Sequence, residues 1–329
     1  VSTALPPLSF ESVGNPYVSA IDLTQLTLNE TGGGVQDIFY VWDPKLTTGA
    51  NSAYGLGGFQ VLTRNGATYD VTPGGGSYGA TNKFIQSGQA FFVNAPFNSG
   101  TVRFTEACKV PGSNMVNRGA QPAPSKQLRT NLYVIKNGEP VLIDGCRIYY
   151  NRSYTNALDI HDAMKLDNTG ENLGIQSNGK ALSVERRKPI LRTDTIFYRA
   201  GHLKVQQYQF EFIAVDLRQE GLKAFLEDTY LHTRTPVRLN GTTRHLFTVE
   251  NTEGSFAPDR FRIVFTRKEE DDDEREMKIF AKGYWNEGHS ITVSWKPVML
   301  DAGITYEVER SADGKQFEEI EMAAADAMQ

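Results

Sequence analysis

The sequence predicts an all-β protein built from tandem β-sandwich or jelly-roll domains, and three observations predict it. Short apolar and aromatic runs alternate with polar residues at a period of two, as half-buried strands do. Gly, Pro, Asn and Asp punctuate those runs about every ten residues, the spacing of sandwich strands rather than of βαβ units. No run sustains the 3.6-residue period of an amphipathic helix. Composition agrees. The 18 Phe and 14 Tyr, against 3 Trp and 6 Met, favour pleated surfaces, and 30 Gly with 14 Pro supply turns. At 329 residues the chain has room for two or three domains.

Residues 1–106 read as a first β domain, incomplete on its N-terminal side. Its strands include Asp37-Ile38-Phe39-Tyr40-Val41-Trp42, stopped by Asp43-Pro44, and Gly58-Phe59-Gln60-Val61-Leu62-Thr63, which ends at the hairpin signal Asn65-Gly66. Thr68–Val71 runs into Pro73-Gly74-Gly75-Gly76, and Gln89–Val93 and Thr101–Phe104 flank a loop. A helical turn is expected at Ala20–Leu26. Residues 107–127 are punctuated by Pro and Gly and read as a linker.

Residues 128–266 read as a second β-sandwich domain. Leu128–Ile135 opens it, Arg147-Ile148-Tyr149-Tyr150 and Ala181–Glu185 follow, and Gln207-Tyr208-Gln209-Phe210-Glu211-Phe212 alternates cleanly, with one wet face and one dry. Arg260–Phe265 closes it. Helical turns are expected at Asn156–Met164 and Leu222–Leu226, and Glu185-Arg186-Arg187-Lys188 is expected to be a solvated turn. Residues 267–276 form an acidic linker, where carboxylates make calcium a candidate cofactor although the spacing is not that of an EF-hand. Residues 277–329 hold only three or four strands, a partial module.

A net charge of −5 and a pI near 5.7 argue against nucleic acid as a partner. No apolar run reaches the ~18 residues of a membrane span, and the polar opening at Val1 carries no signal-peptide pattern. Cys108 and Cys146 are too few for a zinc site without histidine. A disulfide between them would close about 39 residues and stabilise by about 4 kcal/mol. Buried free thiols are the other reading. The triglycines Gly32–Gly34 and Gly74–Gly76 lack the Lys-Ser/Thr of a phosphate loop and read as turns. The five histidines, His161, His202, His232, His245 and His289, form no metal or base motif. No Gly-x-Ser-x-Gly elbow occurs, and neither cysteine has a nucleophile's context. No catalytic residue is assigned, and the chain is expected not to be an enzyme.

Six strings occur in a telling order: Gly14-Asn15-Pro16-Tyr17 with Ser19–Leu23; Tyr40-Val41-Trp42-Asp43-Pro44; Ser87-Gly88-Gln89-Ala90-Phe91-Phe92-Val93; Leu182-Ser183-Val184-Glu185; Ala257-Pro258-Asp259-Arg260 through Phe265; and Tyr306 through Gly314. In this order they resemble the C-terminal β-domain region of large Bacteroidota surface and secreted proteins exported by the type IX secretion system. The resemblance runs from about residue 10 to 320. It departs at Val18, where the family often has proline, in its acidic linker, and in lacking a sorting domain. It implies a secreted, cell-surface setting, a slice of a longer polypeptide, and an immunoglobulin- or fibronectin type III-like third module. It also implies O-glycosylation at Asp-Thr-apolar sites, which Thr195 in Asp194-Thr195-Ile196 matches.

The expected function is a non-enzymatic structural or adhesive portion of a surface protein, in attachment, gliding or filament assembly. Its partners would be other domains of the same polypeptide, copies of itself or surface glycans. The alternative is a glycan-binding accessory module of a larger secreted hydrolase. That reading needs exposed rings on the first domain, with Tyr40, Trp42, Tyr54, Tyr69, Tyr78 and Phe97 as candidates.

Overall fold

The computed structural model describes residues 1–47, 56–111, 125–267, 279–286, 290–297, 305–311 and 318–324. Among them the regular structure is strand, with three short 3₁₀ turns. The chain is all-β. Residues Val1–Arg267 form one compact unit and Lys268–Gln329 a second.

The first half of the large unit holds β1 (Ser2–Leu5), β2 (Ser9–Gly14), β3 (Ala20–Asp22), β4 (Thr27–Leu28), β5 (Ile38–Asp43), β6 (Gly58–Asn65), β7 (Thr68–Gly75), β8 (Gly79–Thr81), β9 (Phe84–Ile85), β10 (Ala90–Ala95), β11 (Gly100–Arg103) and β12 (Lys109–Val110). A six-stranded sheet runs β2-β10-β5-β6-β7-β8, and two small sheets, β1-β11-β4 and β12-β3-β9, complete the half. Phe39, Val41, Leu62, Val71, Phe91 and Val93 of the large sheet share a core with Leu5, Ile21 and Val102 of the small ones and with Cys108 of the 3₁₀ turn Glu106–Cys108. Alternate residues Ile38, Tyr40 and Val61 belong to a different cluster that includes second-half side chains. The large sheet is thus buried on both faces. That is why Ile38-Phe39-Tyr40-Val41 is apolar without alternation.

The second half holds β13 (Gln127–Lys136), β14 (Glu139–Tyr150), β15 (Ala163–Met164), β16 (Asn172–Ser177), β17 (Lys180–Arg187), β18 (Thr195–Gly201), β19 (Gln207–Val215), β20 (Leu222–Asp228), β21 (Thr233–Val237), β22 (Gly241–Thr248) and β23 (Phe261–Arg267). They make one sheet in the order β21-β20-β23-β18-β16-β17-β14-β13-β19-β22, with β15 on β17. Its two end strands, β21 and β22, are joined by residues 238–240 alone, so the sheet curls until its ends nearly meet, close to a barrel. Inside lies a core with Tyr198, Phe210, Phe212, Phe247 and Phe261 in contact.

In the second unit, β24 (Ile279–Asn286) pairs with β25 (Ser290–Pro297), and β26 (Thr305–Arg310) with β27 (Glu318–Ala324), both antiparallel.

Several local expectations are corrected. Leu222–Leu226 is strand, not a helical turn, because it pairs on both sides with β21 and β23. Asn156–Met164 is irregular, ending in the bridge strand β15. Ala20–Leu26 is a strand followed by a 3₁₀ turn at Leu23–Gln25. Glu185–Arg187 continues β17, with Glu185 buried; tertiary cover replaced the solvent that four charged residues led one to expect. Strand β7 extends through Pro73 to Gly75 because the buried Gln60 amide donates to the carbonyls of Pro73 (2.8 Å) and Gly75 (2.9 Å). Residues 109–110 of the expected linker pair with β3, and residues 112–124 lie outside the described residues.

The disulfide is also corrected. Cys108 and Cys146 are free thiols in separate cores, each with 1% exposure or less. The Cys108 Sγ donates to Gln25 O at 3.0 Å, and burial pushes the Cys146 thiol well above its usual range. Without reductant, neither thiol should react with iodoacetamide in the native chain, and both should react in guanidinium. A product that stays unalkylated until dithiothreitol is added would contradict this placement.

Candidate functional site

Two features of the large unit concentrate chemistry: the junction between its halves, and a basic groove on its second half.

The junction forms where β7 lies against the outer face of β13 and β14. On β14 the core side chains are Cys146, Ile148 and Tyr150, so Gly145, Arg147 and Tyr149 point the other way. Arg129 of β13 sits directly opposite Arg147, a like-charge pair that is unfavourable alone. Asp70 of β7 resolves it. Its Oδ2 lies 3.0 Å from Arg147 Nη1 and accepts a short hydrogen bond from the Tyr149 hydroxyl. Arg147 also donates to Tyr149 Oη (2.8 Å) and to Val71 O (2.8 Å). The Asp70 and Arg147 side chains are 8% and 3% exposed. Burial and the neighbouring Arg147 lower the Arg129 pKa. Gly145 permits the approach: a Cβ there would lie 2.8 Å from Thr130 O and 3.0 Å from Pro73 Cβ.

Around this charge cluster the halves exchange further bonds. Gln36 Nε2 donates to Ile160 O and Asp162 O, Tyr40 Oη to Met164 O, Phe59 N to Asn168 Oδ1, and Arg186 Nη2 to Arg64 O. Apolar contact comes from Ile38, Tyr40 and Val61 against Tyr149, Ala163 and Val184. Arg186 spans the rings of Tyr149 (5.4 Å) and Tyr154 (5.5 Å).

Two other buried ion pairs are internal to the second half. Lys165 Nζ meets Asp144 Oδ2 at 2.5 Å, and Leu173 N donates to the same oxygen. Arg260 forks onto Asp228 (2.9 and 2.7 Å), donates to Thr248 O and Ser255 O, and lies among the rings of Tyr230, Phe247 and Phe261.

A family model described as a domain of unknown function (DUF8693) matches residues 5–265. The chain belongs to this family. No curated protein and no solved structure matches it. The DUF8693 match spans both β halves and stops two residues short of the compact unit's end at Arg267, so the junction lies inside the family's own unit.

The groove on the DUF8693 domain consists of three depressions that share residues. The first, about 590 Å³, is lined by Ser125, Lys126, Tyr149 to Arg152, Tyr154, Pro189, Ile190 and Asp216 to Gln219. Arg218 and Gln219 pass into the second, about 680 Å³, which continues over Lys223, Phe225 and Arg238. Pro236, Val237 and Arg238 pass into the third, about 370 Å³, which reaches Thr242 and Arg244.

Three of the six aromatic candidates are buried, which corrects the glycan-facing expectation for those three. Tyr40, Tyr69 and Tyr78 are buried. The Tyr69 hydroxyl donates to Asp37 Oδ1 at 2.6 Å and receives Arg64 Nη1 at 3.0 Å. Trp42 and Phe97 are exposed, Trp42 edge-on to Phe59 at 4.9 Å. Tyr54 lies outside the described residues. The cause is the double burial of the large sheet. Thr195, the glycosylation candidate, is half-buried at the start of β18, opposite Val264. Among the described residues no three His, Cys, Asp or Glu gather as a metal site. The calcium candidate at residues 267–276 lies, apart from Arg267, outside those residues. No helix among them is long and apolar enough to cross a membrane.

Sequence reading missed Arg152, Arg218 and Arg238, since each is a single cation in a turn and only the curl of the sheet aligns them. It also missed the pairing of Asp70 with Arg147, which are 77 positions apart in sequence. The unpaired residue types were visible; their partners were not.

Removing one member of a buried pair strands the other charge and typically costs about 3–5 kcal/mol. Asp70→Asn should therefore destabilise the chain by about that much in urea denaturation, and D70L/R147M should recover part of the loss. A D70N cost below about 1 kcal/mol would place the junction's strength elsewhere.

Proposed function

We propose that this DUF8693 protein is a non-enzymatic structural or adhesive portion of a larger secreted bacterial cell-surface protein, acting in attachment, gliding or filament assembly. The observation that carries the reading is the use made of the buried charges. Asp70, Asp144, Asp228 and Glu211 are each bonded to basic or hydroxyl partners that hold one strand or half to another. A reaction centre requires ionisable groups left available in a pocket; these are committed to the fold. Two curled sheets locked by a desolvated junction suit a body that carries load between neighbouring domains. The ordered strings that resemble type IX-exported proteins supply the secreted, surface setting.

The test is surface labelling. On intact source cells the chain should take up a membrane-impermeant amine biotinylation reagent, and deleting it should lower attachment or spreading. Labelling only after lysis, with attachment unchanged in the deletion strain, would contradict the proposal.

A further inference from the structure

The groove is basic in a protein that is not. The chain carries a net charge of −5. Yet the three linked depressions are lined by Lys126, Arg152, Arg218, Lys223, Arg238 and Arg244, with Asp216 as their carboxylate. Lys126 pairs with Asp216 at 3.3 Å, and Arg244 with Glu211 at 2.9 Å. The side chains of Arg152, Arg218, Lys223 and Arg238 make no ion pair or hydrogen bond among the described residues, and all four are exposed. A row of unpaired cations is costly in self-repulsion unless anions arrive.

At the same end of the groove, Tyr150 is 5% exposed and its hydroxyl has no hydrogen-bond partner; the Ser125 hydroxyl, which also lines it, has none either. Buried polar atoms are ordinarily satisfied. The wall here is rigid, because Tyr149 is held by Asp70 and Arg147, and Gln219 Nε2 donates to Ile190 O at 3.2 Å.

We propose that this groove binds a linear acidic polysaccharide, with its carboxylate or sulfate groups on Arg152, Arg218, Lys223 and Arg238. Guanidinium forks suit carboxylate and sulfate oxygens. Three depressions in series suit successive units of one chain rather than a single small molecule. A nucleic acid fits less well. Recognition of a single strand adds stacking of its bases on free aromatic faces. The groove's rings are committed, since Arg186 covers Tyr149 and Tyr154 and Arg234 covers Phe225 at 5.9 Å. The inference does not rest on the structural reading above, since a groove of this kind serves equally a load-bearing module and an enzyme's accessory.

The test is calorimetric titration of the full chain with four probes: a galacturonic acid hexamer, a chondroitin sulfate hexasaccharide, a neutral galactose hexamer and an oligothymidylate. At least one acidic saccharide should bind, and the neutral sugar and the oligothymidylate at least about tenfold more weakly. The exposed-residue variant R218A/R238A should lose about tenfold or more in affinity, whereas K109A/K180A, at exposed positions that neither line the groove nor adjoin its lining residues, should bind as the parent does. Carboxylate against sulfate preference identifies the anion. Binding of neither acidic saccharide, equal binding of the neutral sugar or oligothymidylate, or unchanged affinity in R218A/R238A would overturn the proposal. Both variants change exposed side chains, and a melting temperature equal to the parent's confirms that any loss reports on the groove.

Discussion

The carboxylate of Asp70 sits between Arg147 and Tyr149 in a space closed to water, and the rest of the large unit is arranged around that contact. Taking a guanidinium and a carboxylate out of water costs several kcal/mol for each ion, and their attraction roughly offsets that cost only when the geometry is good and the remaining donors are used. Arg147 uses them on Tyr149 and on the Val71 carbonyl. The net stabilisation is therefore modest. The specificity is large, since any other docking of the halves would leave Arg147 beside Arg129 with no carboxylate. The contact thereby favours this docking of the two sheets over others.

That constraint explains features that look unrelated. The six-stranded sheet has no solvated face because its second face is the junction, so β5 lost its alternation. Gly145 lacks a side chain because Pro73 comes too close for one. Tyr149, fixed by the junction, in turn lines the first depression of the basic groove. The groove is thus built on the same contact that joins the halves.

Much of the fold was legible in the sequence, for local reasons. Alternating runs marked β6 and β19, apolar strand-like runs marked β10 and β13, and Asn65-Gly66 marked the hairpin between β6 and β7. Several of the ordered strings carry contacts that fix their loops. Asn15 N donates to Gln89 O, and its side-chain amide to Ser19, Ile85 and Gln86 carbonyls, so the first string meets the third. Asp43 of the second binds Ser77 N and Oγ, and a Cβ at Gly76, where φ is +59°, would lie 2.2 Å from that carboxylate. Arg260 of the fifth pins its loop to β20 and β22. What stayed illegible is long-range. A buried aspartate in a strand looks like a solvated one until its arginine is found, and Tyr40, offered for a sugar platform, looks exposed until the second half covers it. The cysteines failed for the same reason, because spacing alone cannot say which of two cores each enters.

The central claim is that the junction makes residues 1–267 one cooperative body rather than two domains in contact. Native-state hydrogen exchange on the full chain tests it most directly. The account predicts that the slowest amides of β6 and β7 and those of β13 and β14 exchange with one common opening free energy and the same denaturant dependence. Two separate plateaus, with the first half opening while the second stays protected, would contradict it.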